Sequence, residues 1–328
     1  MSLLIDKYGR QLNYLRLSVT DRCNFRCYYC MPEEGVEYAK RTELLSLQEL
    51  YTLSEVFCSL GVSKIRITGG EPFMRKDLVP FLQKISRLPE LTEISITTNG
   101  TRFSQHLPAL QQMGIRKINL SLDSLDRERF REITRRDSFE EVYGSIFQLL
   151  ERGFEVKLNC VVAASRNTDD ILPFIELTRE HPLSVRFLEE MPFNGTSTFD
   201  LLNWNHKDIY QYISQHYPDL QKLQSEATST SVNYKVPGYV GTFGIIPSFS
   251  RTFCGTCNRI RLSATGELRT CLYGVPAANL RDLLRQGASA ASIAEEIVAA
   301  VGRREKDGYA AEAHNQETSK ESMSVLGG

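Results

Sequence analysis

The sequence predicts an α/β protein. Residues 1–195 read as an open, incomplete (β/α)6 TIM-like barrel and residues 196–328 as an α+β extension. Three observations carry this. Six β-rich runs alternate with amphipathic helical patterns from residue 14 to about 190, the order that builds a parallel sheet with right-handed crossovers. Gly61, Gly114 and Gly153 each follow a helical run and precede a strand, where a left-handed helix C-cap belongs. Polar, charged or glycine-rich groups recur at the C-terminal ends of successive strands, the end on which (β/α) barrels build their sites. Strand count alone also admits a doubly wound sheet; the third observation favours the barrel.

The strands are expected at 14–19 (YLRLSV), 64–68 (KIRIT), 93–97 (EISIT), 117–121 (KINLS), 155–162 (EVKLNCVV) and 184–189 (SVRFLE). Helical patterns lie between them, near 46–60, 77–88, 104–113, 139–152 and 168–180. The strand ends carry a cysteine loop, then Thr68-Gly69-Gly70-Glu71-Pro72, Thr97-Thr98-Asn99-Gly100 and Ser121-Leu122-Asp123-Ser124. After about 195 the pattern changes. A helical stretch with Trp204 leads to a Ser/Thr-rich segment near 225–231, read as a surface loop. A β-like section (YKVPGYVGTFGIIP), a second cysteine group and helical runs at 277–286 and 291–302 follow. The polar tail, expected to be mobile, ends Gly327-Gly328.

Composition excludes several classes. The 328 residues are 41% hydrophobic and 24% charged, an ordinary globular balance. A net charge of −1 gives no overall attraction to nucleic acid or an anionic membrane, so an anionic ligand must be held by a local basic pocket. The start lacks the order of a signal peptide and no apolar run has membrane-spanning length, which places the chain in the cytoplasm. Eight cysteines in such a chain point to metal rather than disulfides. Cys58 and Cys160 sit in apolar helix and strand patterns and read as core.

The other six cysteines form two triplets. Cys23, Cys27 and Cys30 are spaced Cys-x3-Cys-x2-Cys, and Cys254, Cys257 and Cys271 are spaced Cys-x2-Cys-x13-Cys. Three thiolates hold three corners of a [4Fe–4S] cube and leave one iron open, whereas ferredoxin runs supply four. Zinc is the competing reading, but the nearest histidine to the first triplet, His106, is remote in sequence. Arg16, Arg66 and Lys157 stand inside otherwise apolar strands, so each faces either water or a ligand.

The cysteine loop with its trailing Met31-Pro32, and Gly69-Gly70-Glu71-Pro72, resemble the radical S-adenosylmethionine (SAM) enzymes. The second triplet with Asn258-Arg259-Ile260-Arg261, and the terminal Gly-Gly, resemble one branch of them, the GTP 3′,8-cyclases of molybdenum-cofactor biosynthesis. That resemblance implies a radical SAM core and two [4Fe–4S] clusters, each open at one iron. SAM is cleaved at the first to a 5′-deoxyadenosyl radical, which takes the ribose C3′ hydrogen of GTP so that C3′ attacks guanine C8. It assigns Cys23, Cys27 and Cys30 to the first cluster and Cys254, Cys257 and Cys271 to the second. Tyr29, Gly70, Ser121 and Met191 fall to SAM, and Arg16, Arg66, Thr97, Lys157, Arg259, Ile260, Arg261, Gly327 and Gly328 to GTP. A low-potential electron donor is implied, and a homodimer is compatible with it. The loop after strand five, 163–170, lacks a glycine the resemblance leads one to expect. Two readings compete: a radical SAM enzyme acting on a peptide with an auxiliary electron-transfer cluster, and a zinc- or iron-binding scaffold without activity.

Overall fold

In the computed structural model, residues 3–164, 166–192, 204–315 and 322–326 are described. Its first part runs β1 (Tyr14–Ser18), α1 (Leu47–Ser59), β2 (Lys64–Thr68), α2 (Leu78–Ile85), β3 (Glu93–Thr98), α3 (Leu107–Gln112), β4 (Lys117–Ser121), α4 (Arg127–Thr134), α5 (Phe139–Glu151), β5 (Glu155–Val162), α6 (Ile171–Leu177) and β6 (Ser184–Glu189). The second part runs α7 (His206–His216), β7 (Gln221–Lys222), β8 (Val232–Lys235), β9 (Thr242–Ile246), β10 (Arg259–Leu262), β11 (Glu267–Arg269), β12 (Ala278–Asn279), α8 (Leu280–Arg285), α9 (Ala290–Gly302), α10 (Gly308–Ala313) and α11 (Met323–Leu326).

The strands form because apolar residues recur at every second position. Leu15 and Leu17, Ile65 and Ile67, Ile118 and Leu120, and Val156 and Leu158 are all buried in the core that the helices cover. The alternate positions, including Arg16, Arg66, Asn119 and Lys157, line a cavity on the other face of the sheet. Helices start where side chains take up their free amides. Ser46 and Glu49 form a reciprocal box at α1, and Asn205 and Asp208 another at α7. Gly61, Gly114 and Gly153 have φ of 90°, 73° and 72°, the left-handed conformation expected after a helix.

β1 to β6 lie side by side in chain order and are mutually parallel. Both edges are then extended by the second part of the chain. β10 pairs parallel with β1 and leads antiparallel to β11 and β12; β9 pairs parallel with β6 and leads antiparallel to β8 and β7. The result is one mixed sheet of 12 strands with β12 and β7 at its ends, not a closed barrel.

Several elements differ from the sequence expectation. Helix α4 was not anticipated: only Phe130, Ile133 and Thr134 of its eight residues are buried, too few for a visible apolar stripe. The run at 77–88 is helical only to Ile85, and that at 277–286 opens as β12 before turning helical at Leu280. The tail is not wholly loose, since α11 is anchored to the cysteine loop. Among the described residues no helix is long and apolar enough to cross a membrane.

Candidate active site

The first cysteine loop follows β1 and is braced from three sides. The amides of Arg26 and Tyr28 donate to the carbonyls of Thr134 (3.0 Å) and Ile133 (3.1 Å) at the end of α4, so the unanticipated helix supports the loop. Glycine is required on the second side. Gly70 N donates to Thr20 O and Glu71 N to Arg22 O, both at 2.8 Å. A Cβ on Gly69 would lie 2.4 Å from Thr20 O, and one on Gly70 2.4 Å from Arg22 O. The close approach that makes these positions glycine is thus to the cysteine loop's own backbone. On the third side the Cys30 carbonyl accepts from Ser322 Oγ (2.7 Å) and Met323 N (3.2 Å) of the tail.

Two buried carboxylates tie the strand ends together. Glu71 accepts from Phe73 N (3.0 Å), Thr98 Oγ1 (2.9 Å) and Asn99 N (2.7 Å), and burial lifts its carboxyl to about 7. Asp123 accepts from Tyr29 Oη (2.8 Å) and Val161 N (2.8 Å), and burial lifts it to about 6. Asn167 replaces the missing glycine as the organiser of the loop after β5. Its side-chain amide donates to Asp123 O (2.7 Å) and Val161 O (2.8 Å), and its carbonyl accepts from Ala163 N (2.9 Å).

The second triplet sits between β9 and β12. Cys254 and Cys257 lie on a tight turn, with Cys257 N donating to Cys254 O (3.3 Å), and Cys271 follows β11. All six thiols, free of disulfides, line one cavity of about 610 Å³, a size typical of small-molecule sites. Their surroundings differ in charge. Burial pushes Cys23 up to about 11 and Cys30 up to about 12, and Asp123 adds to burial at Cys27. Burial also raises Cys254 and Cys271, but at Cys257 it is outweighed by Arg304 and Arg259, which bring the thiol down to about 7.

A row of guanidiniums lines the same cavity. Register places Arg261 of β10 beside Arg16 of β1, and Arg16 beside Arg66 of β2. Adjacent strands are about 4.8 Å apart, so three like charges are set side by side. Burial holds Arg16 well below the usual guanidinium range, with Arg261 and Arg66 adding to it, and burial brings Arg186 of β6 and Arg261 down to about 10. Among the described residues Arg16, Arg66 and Arg186 form no ion pair, and the Nε atoms of Arg16 and Arg186 have no hydrogen-bond partner. The lysines differ: Lys157 pairs with Glu155 (2.8 Å), Lys117 with Glu93 (2.5 Å) and Lys64 with Glu226 (3.7 Å). Buried cations without counter-ions are costly unless an anion arrives.

Every described residue that the resemblance assigns to a cluster, to SAM or to GTP lines this cavity, Ile260 excepted. Ile260 is 0% exposed and packs in the core, because its neighbours Arg259 and Arg261 take the cavity face and strand alternation turns it away. Gly327 and Gly328 lie outside the described residues. Thr97 presents a buried hydroxyl without a partner, and Met191 Sδ accepts from Tyr273 Oη (3.2 Å). The segment read as a surface loop also faces inward: Ser225, Thr228, Ser229 and Thr230 line the cavity, and Thr228 O accepts from Arg259 Nη2 (2.9 Å). Arg186 was missed although SVRFLE carries the same signal as Arg16, a charge inside an apolar strand. Arg10 and Arg304 also line the cavity and had no sequence signal. Cys58 and Cys160 are core residues, 1% and 0% exposed.

Three cysteine thiols at each site, all lining one cavity, are the donor set that a [4Fe–4S] cube with one open iron takes. Sulfur acceptors are already served by N–H donors, Phe25 N to Cys23 Sγ (3.4 Å) and Arg259 Nη1 to Cys257 Sγ (3.8 Å), as at iron–sulfur centres.

Comparison with known proteins agrees with this geometry. Residues 17–178 match the Radical SAM superfamily model and residues 183–310 the Molybdenum Cofactor Synthesis C model. The chain is 41% identical over 305 residues to the GTP 3′,8-cyclase of Syntrophomonas wolfei, covering 91% of this chain and 92% of that protein. It is 41% identical over 333 residues to the mitochondrial GTP 3′,8-cyclase of Arabidopsis thaliana, covering 99% and 84%. It is 44% identical over 312 residues to molybdenum cofactor biosynthesis protein 1 of Homo sapiens, 93% of this chain and 48% of that protein, so it spans about half of that relative's length. Among solved structures, native anSMEcpe with bound AdoMet aligns with a TM-score of 0.61 at 14% identity, over 91% of this chain and 82% of that one. SuiB of Streptococcus suis bound to S-adenosylmethionine aligns at 0.58 and 13%, over 86% and 67%. These two likenesses concern the fold.

Proposed function

Because the chain belongs to the GTP 3′,8-cyclase family of radical SAM enzymes, we propose that it is a lyase acting on GTP. Its product is (8S)-3′,8-cyclo-7,8-dihydroguanosine 5′-triphosphate, the first intermediate of molybdenum-cofactor biosynthesis. Cys23, Cys27 and Cys30 hold one [4Fe–4S] cluster, and Cys254, Cys257 and Cys271 a second. When bound, the first cluster and SAM supply the one-electron chemistry that removes the ribose C3′ hydrogen and leaves C3′ to bond C8. A separate low-potential donor supplies two electrons, one for SAM cleavage and one that, with a proton, takes the cyclised nucleotide to its closed-shell product, and we assign the reaction to the cytoplasm.

The chain's own residues position the reactants. Tyr29, Gly70, Ser121 and Met191 form the SAM side, with Tyr29 fixed by Asp123 and Met191 by Tyr273. Arg16, Arg66 and Arg261 receive the triphosphate, and Lys157, Arg259 and the free Thr97 hydroxyl complete the GTP side, with Ile260 contributing backbone only. Gly327 and Gly328 are assigned to the same site. Each charged hydrogen bond to a phosphate oxygen is worth about 1.5–3 kcal/mol net, and substrate charge relieves the repulsion along the row.

The observation that carries this reading is a row of arginines in one cavity with two thiol triplets, of which Arg16, Arg66 and Arg186 form no ion pair among the described residues. A peptide substrate has no triphosphate to meet it. The test is anaerobic incubation of reconstituted protein with SAM, dithionite and GTP, followed by mass analysis. A product isomeric with GTP, together with 5′-deoxyadenosine, is expected. SAM cleavage with GTP left unchanged would overturn the assignment.

A further inference from the structure

The second triplet is faced by guanidiniums: Arg259 Nη1 donates to Cys257 Sγ (3.8 Å) and Arg304 to the Cys257 carbonyl, with Arg261 lining the same cavity and Asp307 as the carboxylate acting on Cys254. The first triplet meets charges of both signs, Arg26 Nη1 on Cys23 O (2.8 Å) and Asp123 on Tyr29 Oη (2.8 Å). Arg304 is placed by contacts from both ends of the chain. Its side chain is 4% exposed, its Nη1 donates to Cys257 O (2.9 Å), and the same atom lies 3.7 Å from Asp6 Oδ2. Asp6 is in turn bound by Arg10 Nε (2.6 Å) and the Arg10 amide (3.0 Å). Arg10 Nη1 donates to Cys254 O (2.9 Å) and Lys306 O (2.6 Å), and Nη2 to Glu305 O (2.8 Å). Burial pushes the Asp6 carboxyl up, but these amide and guanidinium donors outweigh it and hold Asp6 below the usual carboxylate range, so it stays ionised. Two guanidiniums therefore share one carboxylate, and the clamp presents a net positive charge to the backbone of the Cys254–Cys257 turn.

We propose that Arg304, set in place by Asp6 and Arg10, is a positioning residue that raises the reduction potential of the second cluster. This rests on the two-cluster reading above. Adding one electron makes a cubane one unit more negative, with no bond of the protein made or broken. A fixed cation stabilises that state and a fixed carboxylate opposes it, the more so away from water.

The test is a mediated dithionite titration of reconstituted full-length protein, followed by electron paramagnetic resonance, with Cys27→Ser used to identify the second cluster's signal. Arg304→Gln is expected to make the second midpoint more negative and leave the first in place, whereas Arg304→Lys keeps the second near the wild-type value. Asp6→Asn, which removes the shared negative charge, is expected to move it the other way. A purely structural clamp predicts no such reversal of sign. If Arg304→Gln loses iron from the second triplet, Asp6→Asn decides: an unmoved or more negative second midpoint overturns the inference. Wild-type protein that takes up iron and sulfide for one cluster alone overturns the two-cluster reading, and this inference with it.

Discussion

Gly70→Ala tests whether the glycine pair serves to let the cysteine loop pack against β2. The added Cβ would lie 2.4 Å from Arg22 O, 2.5 Å from Arg22 C and 2.8 Å from Asp21 O, all backbone atoms that no rotamer change can clear. Gly70 is not among the glycines with positive φ, so backbone strain plays no part and the whole effect is contact. The loop must recede and give up the Gly70–Thr20 and Glu71–Arg22 bonds. Two such bonds at about 0.5–1.5 kcal/mol each, with about 1–3 kcal/mol for overpacking, give a loss of about 2–6 kcal/mol. That is a large part of ordinary domain stability, about 5–15 kcal/mol. Urea unfolding of the apoprotein reads the loss, and iron analysis after reconstitution should show the first triplet emptied while the second still fills. Gly153→Ala is the control: its φ is 72° but nothing lies within 4 Å of the new Cβ, so it should cost about 1–2 kcal/mol and no iron. A Gly70→Ala protein that unfolds at the wild-type urea concentration and loads both sites would refute the packing argument.

Arg66→Ala should weaken GTP binding by about 1.5–3 kcal/mol with iron content unchanged, and Arg66→Lys should recover only part, since the fork of donors is lost; calorimetry under nitrogen reads both, and loss of iron would mean Arg66 is structural. Cys27→Ser should abolish SAM cleavage, whereas Cys257→Ser should lose GTP conversion while uncoupled SAM cleavage persists, measured as 5′-deoxyadenosine against cyclised nucleotide. Glu71 has its folded carboxyl raised from 4.5 to about 7 by burial. The fold therefore prefers the neutral form, a preference complete below pH 4.5 and lost as pH rises through 7. Apoprotein stability should fall by up to about 3 kcal/mol between pH 5 and pH 8, and a Glu71→Gln protein that keeps the same slope would contradict that account.

What the sequence made legible follows from locality. The six parallel strands were readable because both their faces are specified by neighbours two residues apart, apolar toward the helices and polar toward the cavity. The same alternation was present in Arg259-Ile260-Arg261-Leu262, where the motif drew attention away from the strand and so put Ile260 on the wrong face. Helix α4 was hidden because RERFREIT buries so little; its one local sign is Asp126, whose side chain accepts from Arg129 N (2.8 Å). The Asp6–Arg10–Arg304 clamp was not readable at all. Its geometry depends on Arg10 meeting the carbonyls of Cys254 and Glu305, contacts that only the finished sheet creates.

The open barrel itself explains how two triplets so far apart in sequence come to share a cavity. β9 lies on the outer edge of β6 and β10 on the outer edge of β1, so the short segment 247–258 must pass from one side of the parallel strands to the other. That segment carries Cys254 and Cys257, and β11 delivers Cys271 close behind. In an eight-stranded barrel the interior is filled by layers of side chains and the strands close without such a crossing. With six central strands the interior stays large enough for a substrate, and the crossing segment passes beside it. The same topology sets Arg261 against Arg16, because β10 can reach the polar face only by pairing with β1. Anion site and second thiol triplet are therefore consequences of one pairing. A change that weakened β10 on β1 should disable both together while leaving the first cysteine loop, held by β2 and α4, able to bind iron.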